Sequence, residues 1–389
     1  MANQIHPSSA KKIKELIRKG VCNPEFTERY SYSSKDDNIF ILIECELNKR
    51  KIDFKIDYAS CLMIFEKFMW QFRRSGNNTS SESVNEFVEN VYACYEKTPM
   101  QYNVLFYFPK IRDVPTIQQF PVANIINNCD VKGSVFSYDD PDSLVISIKN
   151  EGFYSGWHPE SFMKMAIQKM NILIFFFEEK SIITKYGYKA INQDIDFLPA
   201  QVQVEKIIVE AINEDYPALT IMPKLSDYIA NYYDKFIVND KLFSEVNFFT
   251  AFKMANGLIL NESKESLRIK AAIDWLIYSN LTEDDTMAFI QACMGLESIF
   301  GDDNYEGSLT TILSDRCAYL IGRNIKDRND IRVMFREIYQ IRSKIIHGVR
   351  SYLSDTEKRV LYMARNFLKI SILKEIDNLD YDESMDLPI

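Results

Sequence analysis

Apolar residues in the last third of the chain recur at every third or fourth position, which is the spacing of one buried helical face. This spacing predicts helices over residues 266–280, 284–300, 308–322, 328–347 and 355–374. Gly301, Gly322 and Gly348 stand where three of these helices are expected to end, and glycine is common just beyond a helix C-terminus. The pattern therefore predicts an all-α helical bundle in the C-terminal part.

The N-terminal half shows a mixed pattern. Residues 38–47 and 51–57 carry β-branched and aromatic residues on both sides of a short polar turn, which predicts a β-hairpin. Residues 102–108 and 143–149 have the composition of two further strands, and a helix is predicted to follow Pro159. This part of the chain is therefore predicted to be α+β.

From about residue 200 to Asn261 the three- to four-residue spacing predicts helices again. The chain is therefore divided into an α+β region (1–200) with a sensor or regulatory role, a helical connector (201–261), a helical domain (262–378) and an acidic tail (379–389). A length of 389 residues agrees with two or three domains.

Composition and charge narrow the class of protein. The net charge of −9 argues against a protein that coats nucleic acid by bulk charge. The seven cysteines are scattered without a CxxC pair, so neither a zinc site nor a disulfide framework is indicated. No apolar run approaches the roughly 18 residues that span a membrane, and the N-terminus lacks the apolar core of a signal peptide. We expect a cytoplasmic protein with no membrane partner.

Several chemistries lack the motifs that they need. The chain has no GxxxxGK[ST] loop or GxGxxG turn for a nucleotide, and no GxSxG nucleophile elbow. Glu44, Glu46, Asp53 and Lys55 lie on the predicted hairpin, where carboxylates beside a lysine can hold magnesium for phosphodiester hydrolysis. Solvated charges on the outer face of a hairpin explain them better, so an enzyme built on the N-terminal strands is a minor alternative.

One histidine stands in a context that indicates catalysis. The predicted helix over 328–347 ends in RSKIIHG (342–348), which contains Arg-x4-His directly before a glycine. Upstream in the same helical domain stand GLESIFG (295–301) and LSDRCAYLIG (313–322). The bare spacing is weak evidence, because short motifs arise by chance. The order of the three segments in an all-helical domain is much more specific.

This order of segments resembles the Apea-like branch of the HEPN domains over about residues 266–378. The resemblance implies a helical bundle that is commonly dimeric and, in many members, a metal-independent RNase of phage defence or toxin systems with no cofactor. The family signature is Arg-x4–6-His, with a polar residue often following the arginine. Carried over by position, Arg342 and His347 are the expected catalytic residues. Ser343 fills the polar position, although it is smaller than the usual Asn, His or Asp.

The two residue types suit RNA cleavage without a metal. Such a reaction needs a base for the 2′-hydroxyl, a cation for the phosphorane and an acid for the departing 5′-oxygen. Histidine side chains exchange protons near neutral pH, and arginine offers a charged planar fork to phosphate oxygens. On an ideal helix Arg342 and His347 are about 140° apart, so one helix does not present both to one phosphate. Two helices meeting across a two-fold axis would do so, which predicts a homodimer.

Local positive charge accompanies the motif. Residues 316–350 hold nine basic and three acidic side chains, a balance of +6 that would attract RNA phosphates. Arg316, Arg336 and Lys344 are the candidate RNA contacts in this segment, although a solvated helix face explains Arg336 equally well. Glu297 is expected to pair with Arg316, either to orient the site or, as we prefer, to bridge two helices.

The sequence thus predicts an endoribonuclease, with tRNA as one candidate substrate, that serves anti-phage defence or another growth-arresting response. Its N-terminal region would meet a phage-derived trigger or a regulatory protein and restrain the RNase. The leading alternative is a HEPN domain that dimerises or binds RNA without cutting it. The acids of residues 375–386 are expected to be solvated or to fold over the basic segment.

Overall fold

Helices make up most of the structure, a computed structural model that describes residues 4–23, 37–50, 55–74, 80–108, 120–127, 144–154, 160–185, 207–212, 233, 236–238, 244–301 and 309–379. The chain forms two compact units. One contains Met1–Val104, Lys149–Met165 and Ile208–Ile221; the other contains Leu105–Ile148, Ala166–Ile207 and Met222–Ile389. In the part of the chain that is described, no helix combines the length and apolar character needed to cross a membrane.

Four helices form the main body of the first unit: α1 (Pro7–Val21), α2 (Asp37–Leu47), α3 (Tyr58–Arg74) and α4 (Ser81–Glu96). Helix α1 packs against α2 and α4, and α3 packs against the same two helices. The ring of Phe65 meets Phe40 and Phe87 edge-on, with centroids 5.4 and 5.2 Å apart. Such aromatic contacts add to the apolar area that these helices bury.

The predicted hairpin is wrong, because residues 38–47 form most of helix α2. Phe40, Ile43 and Leu47 are buried at the three- and four-residue spacing of a helical face. Residues 39–43 are apolar at every position and so show neither the helical nor the strand period, and burial of Phe40 and Ile43 decides the conformation of the run. Residues 51–54 of the predicted second strand lie outside the described residues.

The carboxylates of that predicted hairpin do not line one strand face. Glu46 on α2 is 4% exposed and binds Lys12 at 2.6 Å, Lys49 at 2.7 Å and the Ser9 hydroxyl at 2.8 Å. The hydrogen bonds from the two lysines lower the pKa of Glu46 to about 2, despite the opposing effect of burial. Glu46 therefore joins α2 to α1 through its ion pair with Lys12 and its hydrogen bond with Ser9. Asp53 lies outside the described residues.

Strands and a long helix follow in both units. The elements are β1 (Met100–Phe108), β2 (Ala123–Asn127), β3 (Leu144–Gly152), α5 (Glu160–Glu179), β4 (Ile183–Lys185), β5 (Ile207–Ala211) and β6 (Phe236–Val238). One sheet has the order β2-β3-β1-β5, in which β2 and β3 are antiparallel with Ala123 facing Ile148, and β4 pairs antiparallel with β6. The predicted strands at 102–108 and 143–149 and the helix after Pro159 are confirmed.

The predicted helical connector over 201–261 is wrong in part. Helix α6 (Glu245–Leu260) is present, but β5 and β6 occupy segments that were predicted to be helical. In β5, Ile207 and Val209 are buried, and their spacing of two residues places both on one face of a strand. A hydrogen bond from the Ile212 N–H to the Gln101 carbonyl at 3.0 Å continues the pairing beside β1.

The C-terminal part is helical throughout the described residues, as predicted. Its helices are α7 (Lys264–Leu281), α8 (Asp285–Phe300), α9 (Leu309–Ile321), α10 (Ile325–Ile346) and, after a short 3₁₀ turn, α11 (Lys358–Asn378). Helix α8 packs against α7 and α11, and α9 packs against α10. Gly295 lets α8 approach its neighbours, because a Cβ atom there would lie 2.4 Å from Cδ2 of Leu368 and 3.2 Å from Cβ of Trp275.

Candidate active site

Helix α10 carries both candidate catalytic residues, and its buried face sets the direction of the first. Phe335, Ile338 and Tyr339 are buried at the three- and four-residue spacing of one helical face. The rings of Phe335 and Tyr339 stack with their centroids 4.8 Å apart. Arg342 takes the next position of this face, three residues after Tyr339. Its side chain therefore lies on the side of α10 that packs against the bundle.

A guanidinium–carboxylate pair joins α10 to α8 at this position. Nη2 of Arg342 lies 2.9 Å from Oε1 and 3.3 Å from Oε2 of Glu297. The two side chains are 24% and 27% exposed, so the pair lies at the edge of the core, where a ligand can reach it. Arginine has five N–H donors, and the contacts of Arg342 within the described residues use Nη2. Further donors of the same group can therefore bind phosphate oxygens.

Two ionisable groups lie beneath this pair and are held neutral. Burial raises the pKa of Tyr339 well above its ordinary value, and Cys293 and Glu297 add to the rise. Burial also raises the pKa of the Cys293 thiol, with a further contribution from Glu297. Arg342 acts in the opposite direction on both groups. Of these four described side chains, Arg342 and Glu297 therefore carry the charge.

Helix α10 ends at the second candidate residue. The backbone N–H of His347 donates to the Ser343 carbonyl at 3.0 Å, and its φ of −86° and ψ of 9° stay close to the helical path. Gly348 then adopts a φ of +69°, a left-handed conformation that glycine enters without a steric penalty. Its N–H donates to the Ile345 carbonyl at 3.1 Å and so satisfies one of the last helical acceptors. The His347 side chain is exposed.

Arg342 and His347 lie at the same end of α10 but on different faces. A separation of five residues places them about 140° apart around the helix axis. His347 shares its face with Arg336, Gln340 and Ser343, which precede it at spacings of three and four residues and are all exposed. The predicted site residues therefore divide into an arginine held by α8 and an exposed row that ends in His347.

Two exposed residues near the site, Gln340 and Tyr319, were not among the predicted site residues. Gln340 stands seven residues before His347, a spacing of two helical turns that could have identified it. Tyr319 on α9 is 63% exposed. An aromatic residue in an amphipathic helix is more often part of the core, so the sequence offered no clear signal for this tyrosine.

Arg316 binds a different partner from the one predicted. Its Nη1 donates to the Phe300 carbonyl at 2.6 Å, and this acceptor lies in the last turn of α8, where helical carbonyls have no partner within the helix. Within the described residues the ion pair of Glu297 is with Arg342. Arg316 therefore joins α9 to α8 through the backbone, and Lys344 is exposed on α10.

The basic segment 316–350 is partly neutralised by acids from neighbouring turns. Arg332 pairs with Asp315 at 2.6 Å, and Arg350 pairs with Glu357. Four exposed cations of the segment have no ion pair with any other described residue: Arg323, Lys326, Arg336 and Lys344. These four side chains can bind a polyanion without giving up an ion pair to a described residue.

Of the other two histidines, His6 has a structural role at the start of a helix. His6 caps the N-terminus of α1, where Nδ1 accepts from the Ser8 N–H at 3.3 Å. His158 lies outside the described residues. Among the residues that are described, no group of three or more His, Cys, Asp or Glu side chains is placed to hold a metal ion.

The chain matches no protein-family model, no curated protein and no solved structure. The resemblance to HEPN domains therefore rests on the sequence segments 295–301, 313–322 and 342–348.

Proposed function

We propose that the protein is a metal-independent endoribonuclease of the HEPN type, with Arg342 and His347 as its catalytic residues. The observation that carries the proposal is the arrangement at the end of α10. Arg342 is held there by Glu297 with further donors available, and His347 is exposed one turn later at the helix C-terminus. Phosphodiester transfer without a metal requires a fixed cation and an accessible proton-transfer group, and the end of α10 carries one of each.

The proposed reaction is an internal transfer within RNA. His347 takes the proton of a ribose 2′-hydroxyl, whose oxygen attacks the adjacent phosphorus, while the guanidinium of Arg342 stabilises the phosphorane. The bond from phosphorus to the 5′-oxygen then breaks, and a protonated histidine supplies the proton that this oxygen takes up. The products are a 2′,3′-cyclic phosphate and a 5′-hydroxyl. Ser343 and Lys344, which are both exposed, are proposed to assist in binding the substrate.

We propose that the active unit is a homodimer. One α10 presents Arg342 and His347 about 140° apart, whereas two helices around a two-fold axis can direct an arginine and a histidine to one phosphate. Ile346 and Val349 flank His347 and are 49% and 77% exposed. Exposed apolar side chains next to a polar site favour a protein contact at this position.

The proposed substrate and biological setting rest on the resemblance to HEPN domains. RNA, with tRNA as one candidate, is the substrate class, and anti-phage defence or a toxin-like growth arrest is the setting. The helices and strands of the N-terminal region would then receive a trigger or a regulatory protein.

The test compares the wild-type protein with His347→Ala on total RNA and on tRNA in the presence of EDTA. We expect cleavage by the wild type that leaves 2′,3′-cyclic phosphate ends, and a loss of about 10²- to 10⁴-fold in His347→Ala. His6→Asn is the matched control, because it removes a histidine but keeps a side chain that can cap α1. Equal cleavage by wild type and His347→Ala would overturn the assignment.

The second candidate is a domain that dimerises or binds RNA without cutting it. The exposed cations of the basic segment favour RNA binding even without chemistry. This candidate predicts salt-dependent RNA binding by the wild type and by His347→Ala alike, with no cleaved ends from either.

A further inference from the structure

Tyr319 stands on the outer surface of α9 beside α10. Its side chain is 63% exposed, although a large aromatic ring gains free energy from burial. Two arginines of α10 lie over this ring, with the guanidinium carbon of Arg328 at 5.0 Å and that of Arg332 at 5.4 Å from its centroid. The surface between α9 and α10 therefore presents an exposed aromatic ring in contact with two cations.

The arginines are themselves fixed by other groups. Nε of Arg332 donates to Asp315 at 2.6 Å and its Nη1 donates to Asn329 at 3.1 Å. Nε of Arg328 donates to the Gly322 carbonyl at 3.4 Å. These contacts hold the two guanidinium groups against the ring, so little side-chain freedom remains to be lost when a ligand binds.

The chemistry of this cluster matches one nucleotide of a single strand. Bases stack on exposed aromatic rings whatever their identity, because every base has a π face. The phosphates on either side of a stacked base meet guanidinium groups, which bind phosphate oxygens through a planar fork. An exposed tyrosine alone would suit many ligands, but a tyrosine with two fixed arginines against its ring favours a polyanion with aromatic groups.

We propose that Tyr319, with Arg328 and Arg332, is a stacking platform for single-stranded RNA outside the cleavage site. The proposal rests on the proposed function for the presence of RNA at the end of α10. Arg332 precedes Arg342 by ten residues and His347 by fifteen, which is about 15 to 22 Å along the helix axis. At a stacked rise of about 3.4 Å per nucleotide this distance is about four to seven nucleotides.

The platform is tested by RNA binding to full-length protein that also carries His347→Ala, so that the RNA stays intact. Fluorescence anisotropy compares single strands of about 12 nucleotides, which reach from the site to the platform, with strands of about 3 nucleotides, which do not. We expect Tyr319→Ala to weaken binding of the longer strand by about 5- to 150-fold, the range for loss of one stacked base. Tyr319→Trp should restore the affinity, since it keeps a ring for stacking.

Tyr362→Ala is the matched control. Tyr362 is 67% exposed on α11, and no arginine or lysine lies over its ring within the described residues. Its removal should leave the affinity for the longer strand within about twofold of the parent protein.

Equal affinities of the Tyr319→Ala and Tyr362→Ala proteins for the longer strand would overturn the platform. That outcome would assign the ring to a protein contact or to packing with the two arginines. An unchanged deficit of Tyr319→Ala on the shortest strands would overturn the spacing that we infer. The proposed RNase fails separately, if wild-type protein binds RNA through Tyr319 but leaves no cleaved ends.

Discussion

The guanidinium of Arg342 on α10 lies 2.9 Å from the carboxylate of Glu297 on α8, so the cation of the candidate site is held by a neighbouring helix. Both side chains are about a quarter exposed. Pairs at this level of exposure contribute about 0.2–1 kcal/mol to stability. The main effect of the pair is therefore on the direction of the guanidinium, which depends on where α8 places Glu297.

Replacement of Glu297 by alanine should impair cleavage more than it impairs folding. Without the carboxylate, Arg342 is free to adopt other rotamers, and a displacement of about 1 Å in a catalytic group can lower the rate about 100-fold. We expect kcat for RNA cleavage to fall by about 10- to 100-fold, with a change in unfolding free energy below about 1 kcal/mol. Steady-state kinetics and urea denaturation measure the two effects.

Glu283→Ala is the control for this substitution, because it removes an exposed acid just before the same helix. It should change neither quantity. If Glu297→Ala were faster than the wild type, the carboxylate would instead restrain Arg342 from its substrate.

Gly348→Ala should destabilise the end of α10 through the backbone alone. A Cβ atom at this position meets nothing within 4 Å, but the residue has a φ of +69°. A non-glycine residue in this region costs about 1–2 kcal/mol, which thermal unfolding should reveal together with lower activity of the adjacent His347. Gly301→Ala is the control, since Gly301 has an ordinary φ of −67°. Equal destabilisation by both substitutions would contradict this explanation.

Asn256→Ala should strongly destabilise the unit that contains α6 and β2. Oδ1 of Asn256 accepts from the N–H groups of Val122 and Ala123 at 2.9 Å, and Nδ2 donates to the carbonyls of Ala123 and Phe252. Its removal leaves buried polar groups unpaired, which should lower the unfolding free energy by about 2–4 kcal/mol in urea denaturation. Asn247→Ala on the same helix loses one contact of 3.5 Å and should have a much smaller effect.

Acid should weaken the first unit through Glu46. Its pKa is about 2 in the folded protein and 4.5 without these contacts, so the stabilisation is fully present above about pH 4.5 and is lost as the pH falls toward 2. At neutral pH, Glu46→Gln should be less stable than wild type by about 1–3 kcal/mol, because the bonds to Lys12 and Lys49 lose their carboxylate.

Thermal unfolding between pH 7 and 2 measures this difference, which should shrink on the acid side. Glu89→Gln is the control, because Glu89 is 61% exposed and pairs with Lys14 alone within the described residues. A gap between wild type and Glu46→Gln that stays constant with pH would refute the proposed linkage.

Periodicity predicted best where a helix has one buried and one exposed face. Phe335, Ile338 and Tyr339 repeat every three or four residues, so α10 and its end at Gly348 could be predicted from the sequence. Periodicity failed for residues 38–47, because the unbroken apolar run 39–43 shows neither period. Periodicity also failed at β5. The residues of this short segment have helical spacing, but they form a strand because they pair with β1.

The sequence by itself determined the C-terminal helices and the position of Arg342 and His347 at the end of one of them, because helical periodicity and a glycine stop are local properties. The tertiary structure decided the partners of these residues. It set Glu297 against Arg342 rather than Arg316, and it placed Tyr319 beside two arginines of α10. Such pairings depend on the rotation and spacing of packed helices, which are fixed by the whole core and not by any one segment.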